Sequence, residues 1–260
     1  MNKFIYKRSA GITALSAQIS DFEYKNHSHQ EYAIGVTLRG IQHYHLNGNL
    51  QLSHPKGVML FNPEQTHDGR AYDKIGLDYI MLYIEPQMIL DLIEKKDVVR
   101  LLEPVVYSSK LRQKVLSLFR AISNERDEAL CYDLFITLIE SLMQTDLSSD
   151  YKRDDTVIRR AKNIIHQTNL ESMLRIDDIC SELDLSKFQF IRFFKAHTGI
   201  TPYQYFLNLK VDYAKRIIET YGDIYLAVAM CGFVDLTHLN KLFKNVYGTT
   251  AFDYMSHIKN

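Results

Sequence analysis

Three histidines have types and spacing that suit one shared ligand. His27 and His29 are separated by a single residue, and His67 follows further along the chain. Residues i and i+2 of a β-strand point to the same face, so a strand would set the imidazoles of His27 and His29 side by side. Imidazole binds transition metals and also hydrogen-bonds polar ligands. The pattern therefore indicates a metal site, polar groups in an apolar pocket, or structural histidines that bind nothing.

Other polar residues extend this candidate pocket. Glu31 lies two residues after His29, and Arg39 would suit a ligand that carries a carboxylate. His43 and His45 share a face of another strand, and they either join the pocket or face water. The predicted ligand-binding residues of this pocket are His27, His29, Glu31, Arg39, His67 and Tyr83.

Short β-branched and aromatic runs before Pro86 predict the strands that position these residues. Asn47-Gly48 suits a tight hairpin, because both residue types tolerate positive φ. Several short strands separated by turns are typical of a sandwich or a small barrel. The predicted strands are Glu31–Thr37, Ile41–Leu46, Leu50–Ser53, Val58–Phe61 and Asp78–Ile84.

Helical periodicity replaces this pattern after Pro86. Apolar residues recur at helical spacing over Leu111–Ile122 and Leu130–Met143, which predicts two amphipathic helices. A polar run from Ser148 to Asp155 follows and is predicted to be a linker. From Thr156 onward the sequence predicts only helices, including a long one from Pro202 to about Thr220 with Thr201 as its cap.

The second half contains an internal repeat. Ile176 and Leu185 match Ile224 and Phe233 at a shift of 48, whereas Phe194 and Gly199 match Phe243 and Gly248 at a shift of 49. Each copy is a short helix, a tight turn and a longer helix, which is a helix-turn-helix unit with one residue inserted in the second turn. Asp184 and Gly232 occupy the turn position that favours a left-handed backbone.

Two such units predict DNA binding. The second helix of a unit can enter a major groove, and a connecting helix of ~28 Å suits successive grooves ~34 Å apart. The formal net charge is zero, with 31 basic and 31 acidic residues, so charge alone does not decide the question. The sequence shows no signal peptide, no membrane span, no phosphate loop and no nucleophile elbow. Three widely spaced cysteines predict reduced, buried thiols and a cytoplasmic location.

The region from Thr156 to Met255 resembles the AraC/XylS transcription regulators. The resemblance rests on Phe194-Lys195, Thr198–Pro202, Cys231–Phe233, Phe243-Lys244 and Gly248–Thr250. It implies base-facing positions in each unit. Arg192 suits a bidentate contact with guanine, and the apolar side chains suit thymine methyl groups. The DNA-binding residues so implied are Lys187, Phe188, Gln189, Ile191, Arg192, Leu236, Thr237, His238 and Lys241.

The stretch from His27 to Gly69 resembles the cupin-type sensor domain of the same family, through His27–Tyr32, Gly35, Arg39-Gly40, Asn62-Pro63 and His67–Gly69. This resemblance implies a small β barrel that holds an effector, followed by helices that dimerise. Metal-binding cupins place a glutamate four residues after the second histidine, where this sequence has Ala33. A polar pocket is therefore favoured over a metal site.

Together these features predict an α+β protein of two domains. Residues 1–147 form a cupin-like β barrel with following helices for effector binding and dimerisation, 148–156 form a linker, and 157–260 form an all-α domain with two helix-turn-helix units. The predicted function is a dimeric, effector-controlled transcription regulator that binds double-stranded DNA and is able to contact RNA polymerase. It is not expected to be an enzyme or to need a cofactor. The alternative is a metal-dependent cupin enzyme with a helical appendage.

Overall fold

A computed structural model describes residues 2–46, 48–94, 99–143, 148–150 and 156–258. The chain divides into two compact units, of which one contains residues 1–23 and 30–151 and the other contains 24–29 and 152–260. None of the helices in the described ranges is both long enough and apolar enough to cross a membrane.

The strands of the N-terminal part show two burial patterns. They are β1 (Lys3–Ser9), β2 (Ile12–Ile19), β3 (Glu23–His27), β4 (Tyr32–Arg39), β5 (Gln42–Leu46), β6 (Asn49–Ser53), β7 (Val58–Phe61), β8 (His67–Ala71), β9 (Leu77–Ile84), β10 (Val99–Leu101), β11 (Val105–Val106) and β12 (Ser148–Asp150). β1 and β5 alternate between buried and less buried residues, as expected for a strand with one covered face. β4, β7 and β9 are buried on both faces over most of their length, because helices cover the outer face of their sheet.

Two main sheets are formed. A six-stranded sheet has the order β1-β2-β9-β4-β7-β11, and a four-stranded sheet has the order β3-β8-β5-β6. Gly35 pairs with Met81 on β9, where a Cβ atom would lie 2.4 Å from the carbonyl oxygen of Ile80. Only glycine fits this crossing. Because the strands of the described residues form two separate main sheets, the predicted barrel is an open, cupin-like pair of sheets rather than a closed one.

Three helices belong to the same part of the chain. α1 (Pro86–Ile93) follows β9, and α2 (Ser109–Ser123) and α3 (Glu128–Met143) lie between β11 and β12. The outer face of the six-stranded sheet, with Ile34, Val36 and Leu82, shares a hydrophobic core with Leu118 of α2 and Leu138 of α3. The two predicted amphipathic helices are therefore confirmed, and their buried stripes cover the sheet.

The C-terminal unit is helical throughout. Left-handed C-caps and side-chain N-caps mark the ends of most of its helices, and the predicted cap Thr201 and the predicted left-handed residue Asp184 are among them. They are α4 (Thr156–Gln167), α5 (Ile176–Leu183), α6 (Lys187–Thr198), α7 (Pro202–Tyr221), α8 (Ile224–Met230), α9 (Leu236–Tyr247) and α10 (Ala251–Ile258).

The structure adds elements that the sequence analysis missed. β1 and β2 form a hairpin through Ala10 and Gly11, which both have positive φ, and Phe4 and Tyr6 are the buried residues of β1. In the sequence, the charged residues Lys3, Lys7 and Arg8 made the alternation of buried and less buried residues along β1 hard to recognise. The first residues of the predicted linker form β12, which pairs with β10. The rest of that linker, 151–155, and Asn47 of the predicted hairpin lie outside the described residues.

Candidate functional site

The first helix-turn-helix unit consists of α5 and α6. Asp184 ends α5 with φ 54° and ψ 47°, the left-handed conformation that lets the chain reverse. Ser186 then caps α6 in a capping box with Gln189, in which each side chain bonds the other residue's backbone N–H. Phe190 and Phe194 are fully buried and anchor α6 in the core. The sequence prediction of this unit is confirmed.

The second unit repeats this geometry with α8 and α9. Gly232 takes the place of Asp184 with φ 59°, and Asp235 takes the place of Ser186 as the N-cap. Val234 is the inserted residue, and it is 86% exposed. The Nζ of Lys210 on α7 lies 3.5 Å from the carbonyl oxygen of Gly232 and donates to it, so the long helix is hydrogen-bonded to the turn of the second unit.

Four of the residues predicted to contact DNA are exposed on α6 and α9, and their side chains form no hydrogen bond, ion pair or ring contact with another described residue. Phe188 is 83% exposed, whereas Phe190 two residues later is fully buried. Arg192 lies one turn after Phe188 on the same exposed face of α6. Thr237 and Lys241 occupy the corresponding turn of α9 and are also exposed.

The other predicted DNA contacts have partners or partial cover. Lys187 forms an exposed ion pair with Asp177, 2.8 Å from Nζ to Oδ1, and this pairing raises the pKa of its ammonium group. Gln189 is engaged in the capping box. His238 packs its ring against Phe233, with the ring centroids 5.6 Å apart. Ile191 and Leu236 are half-buried.

A groove of about 570 Å³ borders the exposed face of α6. Phe188 and Arg192 line it together with Leu185, Phe193 and Val157 of α4. The groove places an apolar wall beside the guanidinium group of Arg192. A planar base or a thymine methyl group could pack there while the guanidinium forms hydrogen bonds.

The three histidines of the candidate pocket are buried and lie together. One ring nitrogen of each of His27, His29 and His67 lies within 4.8 Å of the others. The Nδ1 atoms of His27 and His67 lie 2.7 Å and 2.8 Å from the carbonyl oxygens of Lys25 and Gln65. A carbonyl only accepts, so both Nδ1 atoms carry the proton and, in the neutral rings, both Nε2 atoms are lone-pair donors. This tautomer suits a metal ion or a ligand that donates hydrogen bonds.

Burial keeps His67 neutral. Desolvation lowers its pKa to about 4, although the hydrogen bond to Gln65 and the charge of Asp68 act in the opposite direction. The ring stacks near Phe61, with the centroids 4.6 Å apart. His67 is therefore a neutral imidazole on an aromatic wall at physiological pH.

Glu31 and Tyr83 are buried in the same unit as His67, at 6% and 7% exposure. Arg39 is not part of this buried set. Its side chain is 52% exposed and its guanidinium forms two hydrogen bonds with the carboxylate of Asp78. The sequence could not show this pairing, because Asp78 lies far along the chain on the neighbouring strand β9.

Gln42 is a buried polar residue that the sequence analysis missed. It shares a face of β5 with Tyr44, whose ring lies 5.1 Å from that of Phe61, so this face points between the sheets. Gln42 is 5% exposed, and its Oε1 has no hydrogen-bond partner among the described residues. The alternation along Gln42, Tyr44 and Leu46 was the available signal.

Comparison with known families matches both halves of the chain. The AraC-like ligand binding domain matches residues 9–139, and a helix-turn-helix domain matches residues 179–257. YbfI of Bacillus subtilis, an uncharacterized transcriptional regulator, is 27% identical over 84% of this chain and 82% of its own length. The MmsAB operon regulatory protein of Pseudomonas aeruginosa is 30% identical, but the match covers only 35% of this chain and 30% of that protein.

Solved structures share the two-domain fold. Apo ToxT from Vibrio cholerae superimposes with a TM-score of 0.64 at 11% identity, over 97% of this chain and 99% of that one. ToxT with a bound unsaturated fatty acid gives a TM-score of 0.62 at 12% identity, over 99% and 97%. At this identity the likeness establishes the fold.

Proposed function

The chain belongs to the AraC family of transcription regulators, with a ligand-binding domain and a helix-turn-helix DNA-binding domain, and we propose how its residues divide the work. In this proposal Phe188 and Arg192 of α6 and Thr237 and Lys241 of α9 read operator DNA. The barrel binds a small effector that changes this binding. The protein is a regulator and not an enzyme.

The observation that carries the DNA contacts is the exposure of Phe188. A phenylalanine that is 83% exposed forgoes most of the free energy of burial, about 2 kcal/mol. It stands beside Arg192, whose guanidinium can bond to guanine O6 and N7. A partner that offers apolar methyl groups beside hydrogen-bond acceptors fits this pair, and the major groove of DNA offers both.

The remaining predicted contacts take supporting roles in this proposal. Gln189 holds the start of α6 through the capping box, and Ser186, Thr201 and Thr250 are caps of their helices. Lys187 is exposed enough to exchange Asp177 for a phosphate. Ile191, Leu236 and His238 shape the surface around the four reading residues.

Arg192→Ala is expected to weaken binding of the full chain to its operator by about 10- to 100-fold, because a bidentate base contact is worth about 1–3 kcal/mol. Lys241→Ala is expected to have an effect of the same size if Lys241 bonds a base. The measurement is a binding isotherm on fragments selected from the host genome. Lys195→Ala, an exposed charge on α6, is the matched control and should change affinity by less than about threefold.

The same fragments test Phe188. Replacing thymine by deoxyuridine in the contacted half-site removes one methyl group, which is worth about 0.8 kcal/mol or about fourfold. The wild-type chain should lose this factor, and Phe188→Ala should be insensitive to the replacement. Equal binding of specific and unrelated DNA by the wild-type chain and Arg192→Ala would contradict the assigned contacts.

The barrel interior suggests the chemistry of the effector. Among the described residues, the buried polar side chains of the unit that contains His67 include Glu31 but no lysine or arginine. Gln42 adds a buried oxygen that only accepts hydrogen bonds. Buried aromatic rings, Tyr44 and Phe61 among them, surround this region. We therefore propose an effector with an aromatic or apolar body and hydrogen-bond donors such as an amine. A carboxylate would have no buried cation to meet, so this effector differs from the fatty acid of the ToxT complex.

Phenethylamine and 3-phenylpropionate are a matched pair of probes for this proposal. The amine is expected to raise the melting temperature of the full chain and the carboxylate is not, because a ligand stabilises the state that binds it. Glu31→Gln should abolish the shift. Stabilisation by the carboxylate alone would overturn the ligand class and leave effector binding intact, whereas no shift with either probe would count against the whole assignment.

The dimer and the remaining partners stay proposals. Leu130 and Tyr132 of α3 are 44% and 46% exposed, which supports a dimer interface on the α2–α3 face. We propose a cytoplasmic regulator that contacts RNA polymerase from its operator, with domain boundaries at 147 and 157. The three cysteines are buried and form no disulfide, in keeping with a reducing compartment.

A further inference from the structure

A second pair of histidines lies on the outer face of the four-stranded sheet. His43 and His45 alternate along β5 with the buried residues Gln42, Tyr44 and Leu46, so their side chains point away from the barrel interior. The side chain of His45 is 45% exposed. The effector proposal makes no use of either residue.

The two imidazoles converge. Their ring centroids are 5.4 Å apart and the rings are nearly perpendicular, at 80°. Two ring nitrogens on side chains i and i+2 of one strand can bind the same ion, because the strand holds both on one face at fixed spacing. Imidazole nitrogen is a ligand for Zn²⁺, Ni²⁺ and Cu²⁺ and a poor one for Mg²⁺.

Asp68 orients His45. Its Oδ2 lies 2.9 Å from Nδ1 of His45, and its Oδ1 accepts the backbone N–H of His45 at 2.5 Å. Because the carboxylate accepts, Nδ1 carries the proton, and in the neutral ring Nε2 keeps its lone pair. A carboxylate behind a histidine is the usual second partner of a metal-bound imidazole, since it fixes the tautomer and raises the basicity of the ring.

The charge near the pair also permits a cation. Arg70 is the cross-strand neighbour of His43, but its guanidinium is paired with Glu23 at 2.9 Å. The ring of Tyr72 lies 6.3 Å from that of His43. On the other side, Leu52 of β6 is the neighbour of His43 and carries no charge.

We propose that His43 and His45 form a surface site for one divalent transition-metal ion of the zinc, nickel or copper class. His45 binds through Nε2 with Asp68 behind it, His43 supplies the second nitrogen, and water completes the coordination. The site is distinct from the buried group His27, His29 and His67, which uses other residues.

Calorimetric titration of the chelator-treated full chain with NiCl₂ and CuCl₂ tests this site. The wild-type chain should bind one metal ion at this site, and His43→Asn and His45→Asn should each lose that binding. Cu²⁺ should bind more tightly than Ni²⁺, and excess Mg²⁺ should have no effect on either titration. Asp68→Asn should weaken binding at this site by about tenfold or more. Electron paramagnetic resonance of the copper complex should report two nitrogen ligands in the wild type.

His54→Asn is the matched control, because His54 is an exposed histidine outside the pair. It should bind metal as the wild type does. Binding by the buried histidines would add an equivalent that survives in His43→Asn, so the two sites are counted separately. The proposal is overturned if the wild-type chain binds no metal, or if His43→Asn and His45→Asn keep the wild-type stoichiometry and affinity.

Discussion

Lys215→Met is expected to lower the free energy of unfolding of the C-terminal unit by about 3–5 kcal/mol, because it leaves a buried carboxylate without its cation. Lys215 lies on α7 with its Nζ 2.9 Å from Oε1 of Glu219, and the two side chains are only 3% and 7% exposed. The hydroxyl of Tyr254 in α10 donates to the same carboxylate oxygen. The hydrogen bond from Tyr254 to Glu219 therefore joins α7, which lies between the two helix-turn-helix units, to the last helix.

The measurement is urea denaturation of the full chain, followed by the helical signal in circular dichroism, to which the C-terminal unit contributes most of the helices. Lys187→Met is a matched control, since Lys187 and Asp177 form an ion pair of similar length, 2.8 Å, with side chains 55% and 71% exposed. An exposed pair contributes about 1 kcal/mol at most.

The double variant Lys215→Met/Glu219→Leu is expected to recover most of the loss, because it leaves no charge buried. A loss below about 1 kcal/mol in Lys215→Met would show that water reaches Glu219. Since α7 also holds Gly232 through Lys210, we expect Lys215→Met to lose operator affinity at temperatures where the wild-type chain is still folded.

Acidification from pH 6.5 to pH 4 is expected to destabilise the barrel by up to about 3 kcal/mol through His67 alone. Burial lowers the pKa of His67 in the folded protein to about 4, whereas the unfolded chain has the ordinary value of 6.5. Between these values the unfolded state binds more protons, so the free energy of unfolding falls as the pH falls. Below pH 4 both states are protonated and this contribution stops changing.

His67→Asn removes the titration while keeping an N–H donor for the carbonyl oxygen of Gln65. We expect the unfolding free energy of this variant, measured by denaturation at several pH values, to depend less steeply on pH over this window. His54→Asn, which removes an exposed imidazole, should keep the wild-type slope. Equal slopes in wild type and His67→Asn would mean that His67 is hydrated in the folded protein.

Local signals were sufficient for the C-terminal unit. Capping boxes, such as Ser186 with Gln189, depend on residues three apart, and left-handed turn positions depend on one residue. The repeat predicted both helix-turn-helix units and one extra residue in the turn of the second unit. These features are readable because the interactions that determine them lie within a few residues along the chain.

The surface of the reading helices needed the tertiary structure. Phe188 and Phe190 are two residues apart on α6, yet one is 83% exposed and the other fully buried. The family resemblance alone made Phe188 a base-facing position, since a shift of one or two residues in the helix boundary exchanges the faces. The packing of α6 against the core determines that Phe190 is buried and Phe188 is exposed.

The sequence by itself determined the family, the order of the two domains and the helical repeat, because these depend on local spacing. Tertiary structure alone decided which of two identical patterns is buried. His27 and His29, and His43 and His45, are both histidine pairs separated by one residue, but β3 ends at His27, whereas β5 contains both His43 and His45. The first pair is buried and the second faces outward. The physical reason is that a strand's two faces are equivalent until other elements cover one of them, and that covering comes from residues far along the chain.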